Sequence, residues 1–128
     1  MELNRVIDSL KEKGYRLTPQ RVEILKIVLE KLEKGEHPTT NDIFVDVRTK
    51  MPNVSVSTVY NILRLLENNG IIASFEYDGT HYDKTEPHID VICTNTSKIF
   101  DLDDKEIINA LINKNIKPTT ILVKGVCS

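Results

Sequence analysis

Apolar residues recur along this chain with two periods, and the switch between them divides it. Leu3, Val6, Ile7 and Leu10 fall at helical spacing and stop before Gly14. Thr18-Pro19 then offers a capping hydroxyl with proline at the first helical position, and Val22, Leu25, Leu29 and Leu32 carry a second stripe to Gly35. A third helix is predicted from Thr40, with Ile43, Phe44 and Val47 on its apolar side and its end before Pro52. A fourth follows Ser55 and stops at Gly70, with Val59, Ile62, Leu63 and Leu66 as one stripe. The pattern then becomes β-rich from Ile71 to Tyr77 and from Thr80 to Asp83, around Asp78-Gly79, a strong hairpin signal. Three helices, a further helix and a hairpin over residues 1–83 are the layout of a winged helix-turn-helix, with the hairpin as the wing.

Residues 84–128 read as a smaller α/β unit, so the expected fold class is α+β. Ile89–Cys93 and Lys98–Leu102 are predicted strands joined by Thr94-Asn95-Thr96-Ser97. Asp103-Asp104-Lys105-Glu106 opens a helix with acids in its first turn, where the helix dipole favours them. Its stripe is Ile107, Ile108, Leu111 and Ile112, and a last strand runs from Thr119 to Val126. About 45 residues bury little apolar surface alone, so pairing with a second copy, a homodimer, is expected. Such a dimer would present two recognition helices to a palindromic site in double-stranded DNA.

The outward face of the fourth helix suggests what it touches. Ser57, Thr58, Tyr60, Asn61 and Arg64 bring hydrogen-bonding tips, an aromatic ring and a guanidinium, where a merely solvated face would carry Lys and Glu. These groups suit phosphates and base edges. The net charge of −2 looks wrong for such a partner until it is divided. Residues 1–70 hold 11 Lys/Arg against 10 Asp/Glu, hence +1, and residues 71–128 hold 6 against 9, hence −3. Glu76, Asp78, Asp83, Glu86, Asp90, Asp101, Asp103 and Asp104 crowd the second half against Lys84 and Lys98. A divalent cation among those acids would favour approach to DNA. No run is apolar enough to span a bilayer and Met1-Glu2-Leu3-Asn4-Arg5 is no signal peptide, so a cytoplasmic protein is expected. Glycine-rich phosphate loops, nucleophile–base pairs and His-Glu-x-x-His helices are absent from the sequence, which argues against an enzyme.

Several segments follow one another in a familiar order. They are Arg16-Leu17-Thr18-Pro19-Gln20-Arg21, His37-Pro38-Thr39, Ser57-Thr58-Val59-Tyr60-Asn61-Ile62-Leu63, Gly70-Ile71-Ile72, Tyr82-Asp83 and His88-Ile89-Asp90-Val91-Ile92-Cys93. Together they resemble the ferric uptake regulator family of metal-dependent transcriptional repressors, over nearly the whole chain. The resemblance implies an N-terminal winged helix that binds DNA, a C-terminal domain that dimerises, and a regulatory metal at the hinge.

The resemblance also implies a ligand set. His37, Asp83, His88, Asp90 and Asp101 match the family's regulatory positions, with Asp90 standing where the family has the second histidine of His-x-His. Two imidazoles and three carboxylates suit Fe(II) or Mn(II) better than tetrahedral zinc. Aspartate at 101 resembles the peroxide-sensing branch, and an iron or manganese uptake regulator is the alternative subtype. Most members hold a structural zinc with two Cys-x-x-Cys pairs. Here only Cys93 and Cys127 match, so no four-cysteine zinc site is expected. The two cysteines are expected either to pair as a disulfide or to remain small buried residues. His81, two residues before Asp83, is expected to be a solvated wing histidine. The competing functional readings are a winged-helix transcription factor that has lost its metal response and a small metalloenzyme, which leaves Tyr60, Asn61 and Arg64 without a purpose.

Overall fold

The stripe at the start of the chain forms α1 (Leu3–Glu12), which buries Val6 and Leu10. Hydroxyls open the next three helices. Thr18 Oγ1 accepts from the Arg21 amide at 3.2 Å and starts α2 (Pro19–Glu33) with proline in its first turn. Thr39 and Asp42 exchange hydrogen bonds in a capping box that starts α3 (Thr40–Lys50). Ser55 Oγ accepts from the Thr58 amide at 3.2 Å at the head of α4 (Val56–Asn68). The computed structural model describes residues 2–128, in two units that meet in sequence between Lys84 and Thr85.

In the first unit, Val59, Ile62, Leu63 and Leu66 are all buried on α4, as their spacing predicts. The buried face of α2 is broader than its expected stripe. Ile24, Ile27 and Val28 join Leu25, Leu29 and Leu32, while Val22 is only half-buried. The cause is position: α2 packs against α1, α3 and α4, as well as the second wing strand, so one narrow stripe cannot serve. Lys31 on α2 pairs with Asp46 of α3 and with Glu36 at 3.3 Å, and the Asp46 carboxylate raises the lysine pKa above its ordinary value.

The wing is β1 (Ile72–Glu76) paired antiparallel with β2 (Thr80–Lys84), with Phe75 opposite His81 and Ala73 opposite Asp83. Asp78 (φ 51°) and Gly79 (φ 106°) turn the chain between them, both in the left-handed region that tight hairpin turns demand. The loop before α3 lies along the free edge of β2. The Tyr82 amide donates to the Pro38 carbonyl at 2.8 Å, and Thr39 forms an isolated antiparallel bridge with His81.

In the second unit the sheet order is β4-β3-β5, built from β3 (Ile89–Cys93), β4 (Lys98–Leu102) and β5 (Ile121–Gly125). β3 runs antiparallel to β4 and parallel to β5, and α5 (Lys105–Ile112) makes the crossover. Asp104 caps α5 by accepting from the amides of Glu106 and Ile107. The expected α5 stripe is not buried: Ile107 is 41% and Ile112 48% exposed, and Ile108 and Leu111 are only half-buried. One sheet of three short strands gives the helix too little to cover. Ile89, Val91, Ile92 and Cys93, all on β3, are buried in this unit, and Pro118 before β5 is buried as well.

Of the two alternatives for the cysteines, the structure has the disulfide. The parallel register sets Cys93 opposite Gly125, two residues before Cys127, and the two sulfurs are bonded with Cα atoms 5.4 Å apart. Asn95 clamps the same segment, donating from Nδ2 to the Cys127 carbonyl at 3.0 Å and accepting its amide at 3.1 Å. No helix among the described residues is long and apolar enough to cross a membrane.

Candidate metal ligands and nucleic-acid face

With its stripe buried, α4 turns Ser57, Tyr60, Asn61 and Arg64 outward, and Tyr60 is 45% exposed. The Arg64 guanidinium sits 5.8 Å from the centre of the Tyr60 ring, within cation–π range, so the two move as one flat, positively charged surface. Thr58 departs from the expectation of an outward-facing tip. It is half-buried, its hydroxyl 2.9 Å from Ser55 Oγ, and Ser57 Oγ is 3.1 Å from the same atom. Those hydroxyls stiffen the helix start as well as facing outward.

A groove of about 200 Å³ runs beside this face, lined by Tyr15, Arg21, Thr58, Asn61, Ile62 and Leu65. Arg21 is aimed by its own bond to the Arg16 carbonyl at 2.8 Å. Tyr15 and Arg21 escaped the residue-level reading because they belong to other segments. The only sequence signal was the shared Arg16–Arg21 motif.

In the first unit two of the expected metal ligands meet. His37 sits in the loop before α3 and Asp83 near the end of β2. His37 Nε2 lies 3.9 Å from Asp83 Oδ1, with both side chains less than a tenth exposed. Asp83 also accepts from the Lys84 amide at 2.8 Å, which fixes the carboxylate. Phe75 meets the His37 ring edge-on at 5.9 Å. Tyr82 joins the wing to α3 by accepting from Thr40 Oγ1 at 3.4 Å, and burial pushes its phenol pKa up while that contact offsets part of the rise.

In the second unit the other three ligands share one side of a strand pair. Asp90 faces Asp101 directly across β3 and β4, so both carboxylates leave the sheet on the same face. His88, two residues before Asp90, reaches it: Nε2 is 3.1 Å from Asp90 Oδ1. The other ring nitrogen donates to the Glu86 carbonyl at 2.5 Å. With Nδ1 committed to that carbonyl, Nε2 is the nitrogen that faces the carboxylate. Two acceptors that close are favourable only with a proton or a cation between them. A backbone carbonyl behind one nitrogen is also the usual support of a metal-bound histidine. Imidazole and carboxylate donors thus fit a divalent ion, with Asp90 on β3, Asp101 on β4 and His88 just before β3.

His81 corrects an expectation. It is half-buried, not solvated, with a carbonyl oxygen opposite each ring nitrogen.

Comparisons with known proteins bear on the family and the fold. The profile of the "Ferric uptake regulator family" matches residues 12–123. The peroxide operon regulator of Bacillus subtilis is 35% identical over 135 aligned positions, covering 98% of this chain and 91% of the relative. The peroxide-responsive repressor PerR of Staphylococcus epidermidis is 36% identical over 103 positions, 78% of this chain and 67% of that protein. Among solved structures, the Helicobacter pylori ferric uptake regulator Fur, with three functional metal-binding sites, superposes with a TM-score of 0.76 at 28% identity, covering 98% of this chain and 89% of that one. The Campylobacter jejuni peroxide stress regulator does so with 0.70 at 28% identity, covering 100% and 98%. The chain belongs to the ferric uptake regulator family of metal-responsive regulators.

Proposed function

We propose that this protein is a metal-dependent transcriptional repressor of the peroxide-responsive kind, binding palindromic DNA as a homodimer. The DNA-binding domain is residues 1–83 and the dimerisation domain 84–128. Ser57, Thr58, Tyr60, Asn61 and Arg64 carry the DNA contact, and His37, Asp83, His88, Asp90 and Asp101 are the ligands of one divalent ion. The observation that carries the metal reading is the buried His88–Asp90 pair, an imidazole nitrogen 3.1 Å from a carboxylate oxygen with its second nitrogen already committed to a carbonyl. The relatives' names support the peroxide response.

Two imidazoles with three carboxylates suit Fe(II) or Mn(II). Bound Fe(II) would supply the one-electron chemistry by which peroxide oxidises an adjacent imidazole, and Mn(II) would hold the same ligands without it. The chain's own residues do the rest. His37 and Asp83 belong to the DNA-binding half, while His88, Asp90 and Asp101 belong to the other, so a shared ion favours one posture of the two halves by differential affinity. Neutralising the carboxylates also reduces repulsion of phosphate. Tyr60 and Arg64 then read the major groove.

Binding of operator DNA by the purified protein, with chelator and with added Mn(II) or Fe(II), tests the proposal. Affinity should rise with metal, and equal affinity in both conditions would favour a regulator that has lost its metal response.

A further inference from the structure

His81 lies outside every role assigned so far, yet its ring is held by a stacked aromatic and by two backbone carbonyls. Its ring is stacked on Phe75, with centroids 5.3 Å apart and planes 11° from parallel. Nδ1 lies 2.9 Å from the carbonyl oxygen of His37, and Nε2 lies 2.8 Å from that of Tyr77. Carbonyl oxygens only accept, so in either tautomer the ring's N–H has a carbonyl to donate to, and the ring is seated between the two segments. The backbone repeats the connection through the Thr39–His81 bridge and the Tyr82 amide on the Pro38 carbonyl. Phe75, between the two rings, meets His37 edge-on.

We infer that His81 is a positioning residue for the metal ligand His37, pinning that ligand's loop to the wing through the carbonyls of His37 and Tyr77. The inference rests on the reading of His37 as a ligand. A ligand on a loose loop must be ordered when the ion binds, and that ordering subtracts from affinity. A loop held in advance avoids the loss. His81 is not a ligand itself, because each ring nitrogen is directed at a backbone carbonyl oxygen. It also reaches Tyr77 at the hairpin turn, so the strut joins the ligand loop to the tip of the wing.

The test uses the full-length protein and three variants. His81→Phe keeps the stack on Phe75 and removes both ring nitrogens. His81→Gln supplies an amide that reaches one carbonyl. His81→Arg supplies a flat guanidinium with donors for both. Mn(II) affinity is measured by calorimetry, and amide exchange at Tyr82, whose N–H bonds to Pro38, is measured without metal. Loss of supporting contacts of this kind weakens metal binding by about 10–100-fold, the fall expected for His81→Phe together with faster Tyr82 exchange. His81→Gln should fall between, and His81→Arg should recover both. Should His81→Phe fail to fold, the order of wild type, His81→Arg and His81→Gln carries the test. Unchanged Mn(II) affinity in His81→Phe, or in His81→Gln if the Phe variant does not fold, would overturn the inference. So would lost affinity that His81→Arg does not recover or that leaves Tyr82 exchange unaltered. Failure of the wild type to bind Mn(II) is a different result, which removes the metal reading itself.

Discussion

Tyr60 and Arg64 stand one turn apart on α4 with the guanidinium over the ring, so the two present one surface. Tyr60→Ala and Arg64→Ala should each weaken specific binding by about 1–3 kcal/mol. The double variant should lose less than the sum, because each residue orders the other. Fluorescence anisotropy on an operator fragment measures this, and wild-type affinity in both single variants would remove α4 from the interface. These two residues were legible from the sequence because polar, aromatic and cationic side chains interrupt a helix whose other face is plainly apolar. The metal ligands were not legible that way. His37, Asp83, His88, Asp90 and Asp101 come from four separate segments that no periodicity connects, and only the resemblance gathered them. His81 was misread for a related reason: its partners are backbone carbonyls 44 and 4 residues away, and carbonyls leave no mark in a sequence.

At the scale of elements, caps and turns carried most of the information. Thr18, Thr39 and Ser55 each open a helix, and Asp78-Gly79 makes the hairpin turn. The capping box of α3 follows His37 by two residues, so its loss should be felt in both stability and ligand order. Thr39→Ala should destabilise the protein by about 0.5–2 kcal/mol, read as a lower urea midpoint. An unshifted midpoint would show that the bridge to His81 holds the loop without the cap. Where sequence reasoning failed was α5, whose apolar stripe finds no cover in one copy of a small unit. The disulfide bears on the same weakness. Closing a loop of 34 residues between Cys93 and Cys127 stabilises a chain by about 3–4 kcal/mol on the loop-entropy account. Cys93→Ser, or a thiol reductant, should lower stability by up to that amount. Identical denaturation curves for oxidised and reduced protein would assign the tail's order to the Asn95 clamp instead.

For the whole molecule the charge balance and the ligand set make one argument. With the acids of the wing counted, residues 1–83 hold 11 Lys/Arg against 13 Asp/Glu and residues 84–128 hold 6 against 6, so the metal-free protein has little electrostatic attraction for phosphate. On the proposed reading, a divalent ion would add positive charge among Asp83, Asp90 and Asp101 and take ligands from both halves of the chain. Removing His37 takes away a ligand of the DNA-binding half while leaving the three of the other half in place. His37→Ala should therefore abolish metal-stimulated DNA binding while circular dichroism and melting stay near wild type. The ion's identity sets the response to oxidant. The Fe(II) form, exposed to hydrogen peroxide, should gain one oxygen atom on His37 or His88 and release DNA, since an oxidised imidazole is a poorer donor. The Mn(II) form should keep both its mass and its DNA under the same exposure. Intact-mass and peptide mass spectrometry, run beside the DNA-binding assay, measure both outcomes on one sample. Metal-dependent binding with unmodified histidines in the Fe(II) form would leave a sensor of iron or manganese and discard the peroxide response, with the charge balance still accounting for the dependence on metal.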